Sequence, residues 1–342
     1  FNFPISDEAM FFAHYDILTQ RPPSDNIMNP FNYLFIDANT GGVSNPNLLP
    51  EKTTDYEVGF TQALTNYSAV TISAFYRELS DMIQATRVAE AYPFPYTHFD
   101  NIDFGTVKGF SFGYDLRRQN NVSLTANYTL QFADGTGSSS TTAQQLVNDG
   151  FPNLRTTLPL DFDQRHNITA NIDYRYGYGS NYNGPVLFGK NILEGFGANL
   201  VLSAGSGRPY SQQSNILAVA QFGVNTRSTL EGSVNGAREP WTFRTDLRIN
   251  KKIKFKLSDN RDLGMNIYMM IENLLNADNI VNVYRYTGNP DDDGYLSSAE
   301  GEQYVSQQVN PMAFSDQYTL KVNNPDNYVR PRLIKLGMQV NF

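Results

Sequence analysis

The sequence predicts an all-β protein, an antiparallel transmembrane β-barrel of about eleven strands. Three observations carry this. Apolar residues recur at every second position over stretches of about ten residues, close to the span of a tilted membrane strand. Connections alternate between short and long, as the inner turns and outer loops of outer-membrane barrels do. On the second parity stand mostly Asn, Thr, Ser, Gln and Tyr with scattered Arg and Asp, which suits a crowded wet lumen better than the Lys- and Glu-rich face of a solvated sheet.

The elements follow in order. Phe1 to Ile5 closes one strand and Met10 to Thr19 forms a second, with Phe11, Ala13, Tyr15 and Ile17 on one face. Tyr56, Val58 and Phe60 alternate with Asp55, Glu57 and Gly59, and a tight Thr65-Asn66 turn leads into Val70, Ile72, Ala74 and Tyr76, a hairpin. Phe110, Phe112, Tyr114 and Leu116 precede the turn Gln119-Asn120-Asn121. Then Val122, Leu124, Ala126, Tyr128, Leu130 and Phe132 oppose Ser123, Thr125, Asn127, Thr129 and Gln131, a clean amphipathic strand. Ile168 to Tyr176 and Ala198 to Ala204 repeat the pattern. Trp241, Phe243, Leu247 and Ile249 face away from Arg244, Asp246, Arg248 and Asn250, and Ser258-Asp259-Asn260 turns the chain into Met265 to Ile271. Ile334, Leu336, Met338, Val340 and Phe342 form the closing strand. Short turns fall at 6–9, 65–66, 119–121 and 258–262, and the long outer loops at about 20–53, 79–104, 133–164, 206–240 and 276–328. The connection 177–195 is longer than its place on the short side predicts.

Composition is compatible with this fold. Hydrophobic residues make up 40% and mean hydropathy is −0.42, with no apolar run of the roughly 18 residues a membrane helix needs. A barrel tolerates a polar average because every second strand residue is wet. The 21 Tyr and 23 Phe suit interfacial girdles. With no Cys, a disulfide scaffold and a thiolate metal site are excluded. A net charge of −8 argues against a nucleic-acid partner. Phe1 to Pro4 has no signal-peptide character, so the expectation is a chain whose front lies elsewhere.

Four stretches stand out: Asn47-Leu48-Leu49-Pro50-Glu51-Lys52-Thr53-Thr54-Asp55-Tyr56-Glu57-Val58-Gly59-Phe60, Phe162-Asp163-Gln164-Arg165-His166, Ile271-Glu272-Asn273-Leu274-Leu275-Asn276, and the last strand with its terminal Phe342. They resemble the C-terminal half of TonB-dependent outer-membrane receptors of the Bacteroidota type, closer to the Oar-like branch than to SusC-like importers. The resemblance implies a barrel of roughly 22 strands closed by an N-terminal plug. Residues 1–342 would be the C-terminal part of that one barrel domain, with plug and first strands outside them. An open sheet edge in lipid leaves unpaired backbone groups, so the remaining strands must come from elsewhere, and the closing strand must pair on both sides. The resemblance also implies uptake of a solute energised by TonB through the plug, and contact of Phe342 with the barrel-assembly machinery. A non-transporting surface component that docks a lipoprotein or secreted partner is the alternative, and a soluble calcium-binding β-sandwich adhesin a third.

The sharpest local motif is Asn289-Pro290-Asp291-Asp292-Asp293-Gly294-Tyr295-Leu296-Ser297-Ser298-Ala299-Glu300. Its oxygens at Asn289, Asp291, Asp293, Tyr295 (main chain), Ser297 and Glu300, with Gly294 sixth, match an EF-hand loop and predict a structural Ca²⁺ that orders the outer loop. An acidic turn on a solvated loop is the plainer reading. No helix is expected before it, since Val281 to Thr287 reads as extended. Catalysis finds no motif: His14, His98 and His166 are far apart, and GxSxG, HExxH and P-loop patterns are missing. The chain therefore reads as a non-enzyme. Asp163, Arg165 and His166 read as a salt-bridge cluster at the barrel rim, and Arg244, Asp246, Arg248 and Glu272 as lumen packing or as contacts for a plug or solute.

Overall fold

The computed structural model describes residues 1–37, 41–218, 228–258 and 261–341, with the side chains of 254–258, 261–263 and 341 left aside. The predicted Asp259-Asn260 turn and Phe342 therefore lie outside the described residues. One antiparallel sheet dominates. Its path runs β1 (Asn2–Pro4), β2 (Ala9–Gln20), β3 (Glu51–Thr65), β4 (Ser68–Val88), β5 (Tyr96–Gln119), β6 (Val122–Gly135), β7 (His166–Arg175), β8 (Phe196–Gly205), β9 (Thr242–Ser258), β10 (Arg261–Glu272) and β11 (Leu333–Asn341). The short strand Leu158–Pro159 pairs beside β6. Each strand pairs with its sequence neighbours, and β1 and β11 end the path without pairing to each other, so these residues form an open barrel wall. Among the described residues no helix is long and apolar enough to cross a membrane.

Register aligns the two parities across the wall. One row reads Phe11, Phe60, Ile72, Phe112, Tyr128, Ile168, Ala204, Phe243 over eight strands. The adjacent row reads Phe12, Gly59, Ser73, Ser111, Thr129, Asn167, Gly205, Thr242. The first row faces lipid and the second the lumen, because only an apolar row can sit in hydrocarbon. Glycines on the lumen parity leave no room for a side chain: a Cβ on Gly59 would strike the Phe12 ring, and one on Gly109 the Leu130 carbonyl oxygen.

Aromatic girdles mark both edges of the lipid band. At the outer edge Tyr128, His166, Trp241 and Phe243 stack in series at 6.1, 5.5 and 6.1 Å, while Tyr15, Tyr56 and Tyr76 form a second row at 5.3 and 6.3 Å. Tyr174 and Tyr176 stand at the inner edge, 5.2 Å apart. His166 to Tyr174 spans nine residues of β7, within the roughly 9–11 that a tilted strand needs to cross a bilayer.

The stretch 79–104, read from sequence as an outer loop, is mostly strand. β4 and β5 run 21 and 24 residues, far beyond the 9–11 that cross a bilayer, and only 89–95 separates them. Irregular pairing around Leu79 and Met82 shifts the register and breaks the parity signal there. This hairpin stands above the membrane on its own small core of Leu48, Ile83, Ala85 and Phe99, covered by the segment at Val43, whose N–H donates to the Thr97 carbonyl at 2.7 Å. The longest connection also departs from expectation: it carries helices at Ala299–Ser306 and Pro311–Val322, capped by Ser298 and by Asn310 with Pro at the first turn.

Candidate functional site

A buried carboxylate anchors this part of the outer rim. Asp163 is 1% exposed. Its oxygens accept from the Ala133 N–H at 2.9 Å and from the Arg238 guanidinium, with Arg165 at 3.7 Å. Arg238 also donates to the Asp163 carbonyl. A charge so enclosed is tolerable only with such partners. The predicted rim cluster is thus present, but its decisive member, Arg238, lies about seventy-five residues away and had no sequence signal. His166 takes no part: its Nδ1 meets the Tyr128 hydroxyl at 2.9 Å in the lipid-edge stack. Gln164 and His166 instead fix the neighbouring loop by donating to the carbonyl and hydroxyl of Ser206, at 2.9 and 3.0 Å.

This hub folds the loops inward. Leu160 packs into a cluster with Phe75, Val107 and Ala133, all of lumen parity, so 158–161 lies over the lumen face. Above it opens a cavity of about 660 Å³ walled by the connections 135–161, 209–211 and 234–235, with Arg285 arriving from the last loop. Leu146, Leu154, Pro209 and Val234 supply apolar wall; Asp149, Asp161, Gln145 and Arg285 supply polar groups. A second cavity of about 330 Å³ joins Arg208 and Glu239 to Arg244 of the lumen wall. Burial holds the Glu239 carboxyl above the usual range, opposed by Arg208. Cavities of this size and mixed lining can seat a small solute.

Below them the predicted lumen residues form a chain. Arg244 Nε lies 2.9 Å from both oxygens of Asp246 and its Nη2 3.8 Å from Glu272, which also pairs with Lys335 on β11. Asp246 accepts the Asn273 N–H at 2.8 Å. Arg248 lies apart, 4.9 Å over the Tyr268 ring, and lines an inner-end cleft of about 580 Å³ with Arg175, Lys252 and Asp173. In Ile271 to Asn276 the asparagines shape the backbone. Asn273 and Asn276 adopt φ +53° and +51°, which Asn accepts more readily than most residues, and steer the chain off β10.

The predicted calcium loop is ordered, by contacts within the protein. Asn289 and Asp292 accept the N–H of Asp291 and Gly294 at 2.9 and 2.8 Å, and Asp293 that of Tyr295 at 3.0 Å. Asp293, buried, also accepts the Tyr318 hydroxyl at 2.6 Å, and Asp291 that of Tyr328. The bond to Asp291 pushes the Tyr328 hydroxyl up to about 12. Gly294 has the left-handed φ, +80°, that the sixth position of such a loop takes, and Glu300 stands in the first turn of the helix that follows. Ser297 Oγ donates to Gly294 O at 3.2 Å. Among the described residues no three His, Asp or Glu side chains are grouped to hold a metal. Val281 to Thr287 is irregular rather than strand, with a turn at 285–287.

Residues 1–198 match the model of the outer membrane protein beta-barrel family. The chain belongs to that family. As a member of this barrel family it is a bacterial outer-membrane protein. Among solved structures it is similar to the outer membrane transporter YddB from Escherichia coli, with 14% identity over 80% of this chain and 36% of that one and a TM-score of 0.50. A chain of the FpvAI–pyocin S2 complex matches over 99% of this chain and 32% of its own, with 10% identity and a TM-score of 0.51. These likenesses are of fold, and the chain spans about a third of each of those proteins. No curated protein matches it.

Proposed function

We propose that residues 1–342 are the C-terminal share of the barrel of a TonB-dependent receptor of the Bacteroidota type, Oar-like branch, which takes up a solute captured at its outer mouth. The observation that carries this reading is the cavity of about 660 Å³ formed where three outer loops fold over the lumen face. The charge chain from Arg244 to Lys335 lines the wall beneath it, where a plug or a passing solute would lie. Plug and TonB belong to the proposal, as does recognition of Phe342 by the barrel-assembly machinery. Uptake by cells of the source organism, screened over solute classes, tests it with Leu146→Asp and Val234→Asp in the full-length protein. Uptake of one solute class should fall at least tenfold in both variants while the barrel still folds. Unchanged uptake of every class would reject the mouth as the capture site.

A second reading has its own support. Val309, Met312 and Leu320 expose 107, 76 and 75% of their surface at the last outer loop, apolar side chains that a surface lipoprotein or secreted partner could cover. Co-purification lost on Met312→Asp and Leu320→Asp, with no uptake phenotype in the cavity variants, would favour it. For the loop Asn289 to Glu300 we propose a structural Ca²⁺, supported by the φ of Gly294 and by the helix that begins at Ala299. Calorimetry on the full-length protein that finds no Ca²⁺ binding at millimolar ion would remove it.

A further inference from the structure

The connection between β7 and β8 lies at the end of the sheet where Thr65 to Ser68 and Asn120-Asn121 make tight turns, yet it spans residues 176–195. It is fastened to the outward side of the rim. The Tyr182 ring lies 5.7 Å from that of Tyr176, continuing the lipid-edge pair Tyr174 and Tyr176. Gly184 crosses these rings: a Cβ there would meet Tyr182 at 2.6 Å and Tyr176 at 2.8 Å. The Tyr182 hydroxyl donates to the Pro185 carbonyl at 2.7 Å and accepts the Leu193 N–H at 3.2 Å, which clasps both arms of the connection. Lys251, on the parity of Leu247 and Ile249, donates to the carbonyls of Ile192 and Glu194 at 2.8 and 2.6 Å.

From this base projects a small hairpin, Val186–Leu187 paired with Lys190–Asn191. Its tip is Phe188-Gly189, with φ +51° and +73°, the pair of left-handed residues of a type I′ turn. Asn, Asp or Gly normally holds the first of these positions; a bulky aromatic is strained there. Phe188 is also 95% exposed, and Val186, Leu187 and Ile192 are 60, 54 and 45% exposed. In water this tip would combine backbone strain with bare apolar surface and gain nothing from either. A phospholipid surface reverses the second cost, and Lys190 beside the tip suits a phosphate headgroup.

We propose that hairpin 186–191 is embedded in the periplasmic leaflet of the outer membrane, with Phe188 at the boundary of headgroups and acyl chains. The lipid-facing band of the barrel then continues below its inner girdle onto this connection. The inference rests on the barrel's membrane placement and is independent of what, if anything, the barrel transports.

Spin labelling tests it. Residues 1–342 contain no Cys, so Phe188→Cys in a full-length protein otherwise free of Cys carries a single nitroxide. In phosphatidylethanolamine–phosphatidylglycerol vesicles the label should collide with oxygen in preference to a nickel chelate, whereas a control label at Asn66, in a tight turn of the same end, should favour nickel. Nickel access at 188 equal to that at 66 would overturn the proposal. Shielding at 188 from both reagents would overturn it too, since that marks a protein partner or a second copy. Phe188→Trp gives a second reading: lipids brominated near the headgroup should quench the added emission, and no quenching would reject the embedding. Heat-modifiable gel mobility verifies that each variant is folded.

Discussion

The Tyr318 hydroxyl donates to the Asp293 carboxylate across 2.6 Å, and both residues are 3% exposed. The bond ties the acidic turn to the helix Pro311–Val322 and seals a small apolar cluster of Tyr295, Tyr318 and Val322. Tyr318→Phe removes the donor and leaves a buried acceptor short of a partner, at a cost of about 1–3 kcal/mol. Hydrogen exchange should rise across 289–322 while the strands keep their protection. Unchanged exchange in that loop would count against the tie.

Tyr328 adds a pH dependence. Its hydroxyl bonds to Asp291, so the neutral phenol is favoured in the fold, about 12 against the ordinary 10.0. The unfolded loop ionises first. Its stabilisation is therefore complete below pH 10 and is lost as pH rises from 10 towards 12. Proteolysis of the last outer loop should accelerate across that window and do so less in Tyr328→Phe. A variant that tracks the parent would refute the assignment.

Arg238→Ala leaves Asp163 buried with Arg165 at 3.7 Å as its remaining cation. Breaking an enclosed pair in this way costs about 3–5 kcal/mol. Thermal unfolding should drop accordingly, and protease sites within 206–240 should open first. Arg238→Ala with Asp163→Asn should recover part of the loss, because the uncompensated charge is then gone.

The two lumen glycines should differ. Gly109→Ala drives a Cβ against the Leu130 carbonyl, which cannot move without disturbing the β5–β6 ladder, whereas Gly59→Ala meets the far end of the Phe12 side chain, which can swing. Overpacking of the first kind costs about 1–3 kcal/mol. On gels that separate folded from unfolded barrels, the unfolding temperature should fall clearly for Gly109→Ala and little for Gly59→Ala.

All eleven path strands are legible in the sequence because a lipid face is mainly apolar, as Phe110, Phe112, Leu124, Tyr128 and Ile168 illustrate. Above the membrane the rule lapses. Between Leu79 and Phe104 only the short run of Ile83, Ala85 and Phe99 is apolar on one face and the bulges shift parity, so strands read as loop. The helix at Pro311 did have a signal, Asn310 followed by Pro and a short stripe of Phe314, Tyr318 and Val322 at i, i+4 and i+8, which the strand-period reading of the chain passed over. Asp163 stands out within its motif, whereas the pairing to Arg238 arises from tertiary folding alone.

Lys335 is the only cation described on β11, and its partner Glu272 is the last residue of β10. Strand faces alternate with period two, so a slip of β11 by one residue would carry Lys335 into hydrocarbon and turn Ile334 and Leu336 towards water. The ion pair is thus a gauge of alignment for β11: a strand paired one residue out of step would expose its own error as a charge in the bilayer.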